Sequence, residues 1–385
     1  MRKFFNVCCA AIVCTAMMSS CQKGEEYAGQ LPTVTTDAPT EITANSVSIA
    51  VTVSGEDITD SGVCYSTEQE PTIDDMIVNE GKHVGKLTIT ITDLTPETVY
   101  YVRGYATNPV GTAYSETQTF TTIAIDETIE FSDPIFEQYC LTEFDANNDG
   151  KISLSEAKRA TNITINQKGI SSIDEIHYFT ELTQLVCNDN NLTSIDVSKN
   201  AKLTMLYCQN NKLTSINVNN SKLENLNVGN NQLTTLDLSG SPRLTTLNCD
   251  DNQLSTLDIS KCPALTDLYC QANQLSELNL SRNTKLTILV CSSNPMTSLD
   301  VTKNTALTGI SCSACQLTSL NLTYNTALET LICDDNLFTT LDVSSATALL
   351  LLYCNDNPYL ETLVMGAGQS ISILDKDDHT QIVTK

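Results

Sequence analysis

The sequence predicts a multidomain, mainly β protein in which a repeated solenoid of parallel strands follows a β-sandwich and a short helical segment. Three patterns support this fold class. Residues 182 to about 363 repeat with a period of 21, residues 32–123 alternate apolar and polar side chains between turn residues, and residues 145–156 carry oxygen donors at alternate positions. A fixed period of this size indicates stacked structural repeats, whereas strict alternation indicates half-buried strands.

The repeat unit reads L-x-x-L-x-C-x-x-N-x-L-x-x-L-D-V-S-x-N-x-x, and we number its positions from 1 to 21. Every unit is 21 residues long except the 20-residue unit at Leu203, and the nine units start at Leu182, Leu203, Leu223, Leu244, Leu265, Leu286, Leu307, Leu328 and Leu349. This pattern is typical of leucine-rich repeats. It predicts a right-handed solenoid over residues 161–385 with a parallel β-sheet on its concave face.

Both ends of the array are predicted to be capped, because a solenoid needs atypical end units to cover its open core. Residues 161–181 read as a degenerate first repeat, in which Ile163 takes the place of the position-4 leucine. The tail after the ninth repeat is expected to close the last coil with Leu374, Ile382 and Val383.

Position 6 is cysteine in eight repeats and Val228 in the remaining one. Stacked strands lie about 4.8 Å apart, and parallel side chains cannot adopt the facing geometry of a disulfide. We therefore expect a ladder of buried thiols that act as small apolar groups. The pattern resembles the cysteine ladder of one branch of the bacterial internalin family, whose repeats have the same length. A thiolate metal cluster is the alternative, although a linear stack does not converge on one ion.

Position 9 is asparagine in eight repeats and Cys315 in the other. The chain turns sharply where it leaves each strand, and the turn buries backbone N–H and C=O groups. An inward amide can donate to and accept from these groups in every coil. A structural role therefore explains the asparagines, and Cys315 predicts a locally weaker turn.

The N-terminus resembles that of a bacterial lipoprotein. Residues 1–20 combine an early positive charge with an apolar stretch, and Met18 to Cys21 resemble a lipobox with Cys21 as the lipidated residue. The acidic residues that follow, within a tether at 21–31, resemble the surface-export signal of Bacteroides-type bacteria. We expect an outer-membrane lipoprotein exposed on the cell surface. An ordinary cleaved signal peptide is the alternative, and no later apolar run could span a bilayer.

Residues 32–123 predict a β-sandwich, with alternating strands near residues 46–53, 62–65, 86–91 and 100–106. The run from Leu94 to Tyr100 resembles the tyrosine-corner end of a fibronectin type III domain. The chain has no tryptophan, so residues 63–65 must fill the space of the usual core tryptophan. The resemblance implies a domain that spaces and presents its neighbours.

Residues 124–160 predict a helix near 132–144 followed by a calcium loop. The loop fits D-x-[DN]-x-[DN]-G-x5-E. Its expected calcium ligands are Asp145, Asn147, Asp149, Lys151 through its carbonyl, Ser153 and Glu156. The single loop resembles the dockerin-like or single EF-hand modules of secreted bacterial proteins, which implies a structural Ca²⁺. A solvated turn rich in Asp and Asn is the alternative.

A partner would have to bind the strand residues that point outward from the concave face. These are unrepeated, and we single out Tyr207, Tyr269, Tyr353, Met205, Asn248, Asp267, Ile288 and Ile332. Aromatic residues and Met with few charges are typical of interface cores. The alternative is an ordinary soluble sheet surface, because aromatic residues also favour strands.

The formal net charge of -25 argues against nucleic acid and anionic lipid as partners. We expect a monomeric, surface-anchored adhesion protein that binds a protein partner. The negative charge favours a basic partner. The protein is expected to contact the membrane only through its lipid anchor. A glycan-binding accessory lipoprotein in polysaccharide capture is the alternative. An enzyme is not expected, because His83, His177 and His379 lie in three separate segments and no phosphate loop or nucleophile elbow is present.

Overall fold

The computed structural model describes residues 29–385. The predicted signal peptide, the lipidation residue Cys21 and most of the tether lie outside the described residues. The chain divides into two compact units, Met1–Ile125 and Asp126–Lys385, and each is described by itself. Within residues 29–385, no helix combines the length and apolar character needed to cross a membrane.

The described part of the first unit contains eight strands: β1 (Thr33–Thr36), β2 (Val47–Ser54), β3 (Asp60–Ser66), β4 (Met76–Asn79), β5 (Gly85–Ile91), β6 (Val99–Asn108), β7 (Gly111–Tyr114) and β8 (Gln118–Thr121). One antiparallel sheet has the order β1-β2-β5, and the other has the order β4-β3-β6-β7 with β8 also paired to β6. The two sheets share one apolar core. The sequence predicts β2, β3, β5 and β6, whereas the four-residue strands are too short to show alternation.

Tyr100 connects the core of this unit to the turn that precedes β6. Its hydroxyl oxygen accepts a hydrogen bond from the backbone N–H of Thr95 at 3.1 Å. Its ring stacks on Phe120 with the centroids 5.7 Å apart, and it is 5% exposed. This is the contact expected of a tyrosine corner. Val63 and Cys64 are fully buried, so they occupy the core at the place where the sequence predicts a substitute for tryptophan.

The second unit begins with α1 (Pro134–Phe144), α2 (Leu154–Ala157) and a 3-10 helix (Asp174–Tyr178). The start of α1 is set by Asp133, whose carboxylate accepts from the amides of Ile135 and Phe136. Its other oxygen accepts from the Ser171 amide and hydroxyl, both at 2.7 Å. Burial acts to raise the pKa of Asp133, but these hydrogen bonds outweigh it and lower the pKa to about 2. Asp133 thereby joins the helix to the first coil.

The coils form an eleven-stranded parallel sheet, in which each strand pairs with that of the next coil. Its strands are β9 (Asn162–Thr164), β10 (Gln184–Val186), β12 (Met205–Tyr207), β14 (Asn225–Asn227), β15 (Thr246–Asn248), β16 (Asp267–Tyr269), β17 (Ile288–Val290), β18 (Gly309–Ser311), β19 (Thr330–Ile332), β21 (Leu351–Cys354) and β23 (Ile373–Lys376). Further along the coils, parallel pairs are formed by β11 (Ser194–Asp196), β13 (Ser215–Asn217), β20 (Thr340–Asp342), β22 (Thr362–Met365) and β24 (Gln381–Thr384).

The two ends of the array differ in how well they match expectation. Ile163 lies opposite Leu185, so the degenerate first repeat pairs in the predicted register. At the other end, Leu374 packs partly against the core. The expected burial of Ile382 and Val383 is wrong, since they are 47% and 48% exposed. They lie on β24, at the edge of its sheet, where no further described strand covers them.

The position-9 asparagines hold the turn after each strand. Nδ2 of Asn252 donates to the carbonyl of Val228 in the preceding coil at 3.0 Å and to that of Cys249 at 3.2 Å. Its Oδ1 accepts from the Leu233 amide, also in the preceding coil, at 3.0 Å. One side chain therefore satisfies backbone groups of two coils, and such groups would be costly to bury without partners.

Cys315 performs only part of this role. Its thiol donates to the carbonyls of Cys291 at 3.4 Å and Ser313 at 3.3 Å. In most other coils, the side-chain oxygen at position 9 accepts from the backbone N–H at position 11 of the preceding coil. Cys315 has no such oxygen for the backbone N–H of Met296. That amide donates to the Asn294 carbonyl instead, at 2.8 Å. The turn at Cys315 thus lacks one contact between coils.

The twelve cysteines among the described residues are buried free thiols. Position-6 cysteines are fully buried in the core of the solenoid. Burial raises the pKa of the Cys270 and Cys354 thiols to about 12. These two thiols are therefore protonated at neutral pH, and the buried ladder side chains pack as apolar groups.

The substitution Cys315→Asn tests the structural role of position 9. We expect it to raise the free energy of unfolding by about 1 kcal/mol, because an amide oxygen would accept the Met296 N–H as in the other coils. Denaturant unfolding of the full chain measures the change. Cys315→Ala is the control and should be no more stable than the parent. An asparagine variant less stable than the alanine variant would contradict this account.

Candidate binding face

The outward residues of the parallel sheet form the candidate binding face. In the sheet strand of each of the nine repeats, the position-4 side chain is buried and those at positions 3 and 5 are partly exposed. We call the residues at positions 3 and 5 the sheet face. All eight predicted partner-binding residues belong to it and are partly exposed: Tyr207, Tyr269, Tyr353, Met205, Asn248, Asp267, Ile288 and Ile332.

The three tyrosines of the sheet face do not meet at one point. Tyr207 and Tyr269 are three coils apart, roughly 14 Å at the usual spacing between strands. Tyr353 lies four coils beyond Tyr269, beside Ile332. Any ligand that contacts all three must therefore lie along the sheet rather than enter a single pocket.

The sheet face carries no Lys or Arg, and an acidic rim follows its strands. Part of this rim has a backbone explanation. Asp189, Asp251, Asp335 and Asp356 occupy position 8 with φ between 48° and 58°, in the left-handed region. Asp and Asn are among the side chains that tolerate this region best. The turn therefore accommodates these four acids but does not require them, since Ala272, Ser293 and Ala314 adopt the same φ region at this position.

A polar concavity interrupts the row of side chains at position 7, and the sequence analysis did not predict it. Its volume is about 390 Å³, and we call it the Gly229 notch. Its lining includes Gln209, Asn227, Gly229, Asn248 and Asp250. A Cβ atom on residue 229 would lie 2.0 Å from Asp250 Oδ1, so only glycine leaves that carboxylate in place. The signal was present, because Gly229 is the sole glycine at position 7 among the nine repeats.

Asp250 is the charged group of this notch. Its Oδ2 accepts from Gln271 Nε2 at 3.0 Å. Burial, followed by the negative charge of Asp251, raises the pKa of the Asp250 carboxyl. A half-desolvated carboxylate is a strong acceptor for a ligand that brings its own donors.

The predicted calcium loop is closed by its own hydrogen bonds. Asp145 Oδ2 accepts from the Gly150 amide at 3.0 Å, and Gly150 has φ 77°. The Asp149 amide lies 3.2 Å from Asp145 Oδ1 and 2.8 Å from Asn147 Oδ1. The side chains of residues 145 and 147 thus both accept from one backbone amide.

Ser153 and Glu156, the last two predicted calcium ligands, form hydrogen bonds within the protein. Glu156 Oε1 accepts from the amides of Ala146 and Asn147 at 2.9 and 3.3 Å. Its Oε2 accepts from the Ser153 amide and hydroxyl, and the two residues form a capping box at α2. Burial acts to raise the pKa of Glu156, but the hydrogen bonds outweigh it and lower the pKa. Among residues 29–385, no three His, Cys, Asp or Glu side chains form a group that could hold a metal ion.

Comparison with solved structures identifies the fold type of the solenoid. An internalin InlF of Listeria monocytogenes aligns with 66% of this chain and 91% of its own, at 18% identity and a TM-score of 0.53. The fold is an internalin-like leucine-rich-repeat solenoid. Its parallel sheet of 21-residue coils and its row of position-6 cysteines are directly visible.

Two further Listeria monocytogenes structures are similar. The functional domain of InlJ, which includes a cysteine ladder, covers 67% of this chain and 73% of its own at 27% identity and a TM-score of 0.41. Internalin C2 covers 67% and 100% at 20% identity and a TM-score of 0.38. No protein-family model matches the chain, and no curated protein sequence matches it.

Proposed function

We propose that the chain is a surface-anchored adhesion protein whose sheet face holds a protein partner. One observation carries the proposal. Buried, repeated side chains account for the leucines, cysteines and asparagines of every coil, whereas the sheet face is partly exposed and differs from coil to coil. An internalin-like solenoid is suited to this use, because stacked coils present a long continuous surface.

The composition of the sheet face favours a particular kind of protein partner. Tyrosine and methionine contribute large contact areas at interfaces. The absence of Lys and Arg from the sheet face and the acids along its rim favour a basic partner, and the complementary charges would accelerate association. Binding to such a partner should weaken as salt screens these charges.

The remaining parts of the proposal concern how the solenoid is anchored at the cell surface and spaced from the membrane. Lipidated Cys21 would anchor a monomer in the outer membrane with the solenoid outside the cell, and this step rests on the sequence. The tyrosine corner at Tyr100 supports assignment of the first unit as a fibronectin type III-like spacer.

Replacement of Tyr207, Tyr269 and Tyr353 by Ala should weaken binding at least tenfold to any partner that uses the sheet face, since interface tyrosines often contribute about 2 kcal/mol or more each. Surface plasmon resonance of the purified chain against a panel of basic and acidic extracellular proteins measures this. The matched control replaces Tyr178, Tyr324 and Tyr359, which are exposed and lie off the sheet face. Equal affinity of the two triple variants for each bound protein would refute the proposal.

We also propose that residues 145–156 hold a structural Ca²⁺. The oxygen-only donor set and the bend at Gly150 support it. Asp145, Asn147 and Asp149 would hold the ion with the carbonyl of Lys151. Ser153 and Glu156 would complete the site only by exchanging their present hydrogen bonds.

Chelation tests the calcium proposal. We expect EDTA to lower the melting temperature of protein shown to contain calcium, because an ion at 100 times its Kd stabilises the fold by about 2.7 kcal/mol. The variant with Asp145→Ala and Asp149→Ala should melt at one temperature with or without EDTA. A calcium-containing parent whose melting curve does not respond to EDTA would argue against a structural ion.

A further inference from the structure

The Gly229 notch is a local concavity within the sheet face, beside two of the tyrosines that are proposed to contact a protein partner. It lies where the position-5 and position-7 rows of neighbouring coils meet, between Tyr207 on one side and Tyr269 on the other. Its volume of about 390 Å³ falls within the usual range for small-molecule sites, about 300 to 1,000 Å³.

The asparagines of the notch hold its backbone through their side-chain oxygens. Asn227 Oδ1 accepts from the Gly229 amide at 3.0 Å, and Asn248 Oδ1 accepts from the Asp250 amide at 3.0 Å. Burial raises the pKa of the Asp250 carboxyl, whereas the Asn248 side chain also hydrogen-bonds to that carboxylate and acts to lower the pKa. The two side-chain amides stand one strand spacing apart, about 4.8 Å.

Asp250 supplies the complementary acceptor. Gln271 donates to its Oδ2, Oδ1 lies over Gly229, and the Asn248 side chain also hydrogen-bonds to the carboxylate. Oε1 atoms of Gln209 and Gln271 are buried without partners in the same part of the molecule. A ligand for this notch must therefore present both donors and acceptors at short intervals.

The surroundings select the ligand class further. No cationic side chain lies on the sheet face, so an anionic ligand would meet an uncompensated carboxylate. The half-buried carboxylate and the amides also disfavour an apolar ligand, because their hydrogen-bonding groups would lose water without replacement. The tyrosine rings, roughly 14 Å apart at the strand spacing, offer apolar surfaces on both sides.

We propose that the Gly229 notch binds a short neutral oligosaccharide. Its hydroxyl groups would donate to Asp250 Oδ1 and accept from the Nδ2 groups of Asn227 and Asn248. The rings at either end would pack against Tyr207 and Tyr269. The site shares Tyr207 and Tyr269 with the proposed protein contact, but it requires only these central coils, so sugar binding does not depend on the presence of a protein partner.

The test is binding of the purified full chain to an array of neutral and acidic oligosaccharides, followed by titration calorimetry with the strongest neutral ligand. Gly229→Ala should lower affinity at least about tenfold, since a Cβ atom there displaces Asp250 Oδ1 from the notch and a hydrogen bond to a charged group is lost. Asp250→Asn, which keeps the side-chain volume, should have a similar effect. Asn355→Ala is the matched control, at position 7 of the last repeat, and should bind like the parent.

Melting curves establish that each variant is folded. Absence of binding to every neutral oligosaccharide, binding to acidic ones only, or unchanged affinity in folded Gly229→Ala and Asp250→Asn would each overturn the proposal. None of these results bears on the proposed protein contact, because the tyrosine variants are tested against protein ligands in a separate experiment. Equal protein affinity of the two tyrosine triple variants, together with sugar binding by the parent that Gly229→Ala and Asp250→Asn reduce, would count against the protein partner alone.

Discussion

The solenoid depends on one recurring hydrogen-bond arrangement at the end of each strand. The chain turns sharply after each strand, and several amides and carbonyls there would be buried without partners if side chains did not satisfy them. The position-9 asparagine supplies both functions at once and bonds to two coils, as Asn252 does with Val228 and Leu233 of the preceding coil and Cys249 of its own. Because the same groups need partners in every coil, the same residue recurs, and the coils are held in register from one to the next.

This arrangement separates scaffold from surface. Leucines at positions 1, 4 and 11 and the thiols at position 6 fill the core, so the side chains at positions 3 and 5 are released from packing. They can differ between coils without altering the backbone. Tyr207, Asn227, Asn248 and Tyr269 therefore stand side by side on identical strands. A binding surface of this kind is defined by its unrepeated residues.

Features repeated in every coil could be predicted from the sequence, because one physical demand recurs at one spacing. The register of Ile163 with Leu185 is an example. Features that occur once could not. The notch at Gly229 exists because the Asp250 side chain of the next coil occupies the space that a Cβ atom on residue 229 would take. A repeat pattern gives no information about such a single contact. Ser153 and Glu156 fit both a calcium loop and a capping box, so the sequence pattern alone does not choose between these roles.

The separation of scaffold from surface can be measured directly by comparing two variants in thermal unfolding. One replaces the sheet-face residues of the repeats from Leu203 to Leu265 by Thr, which suits a strand. The other carries the single change Asn252→Ala. We predict that the multiple variant melts close to the parent, whereas the single change lowers the melting temperature by about 4 °C or more, because buried backbone groups lose their partners. A multiple variant that melts as low as Asn252→Ala would contradict the account.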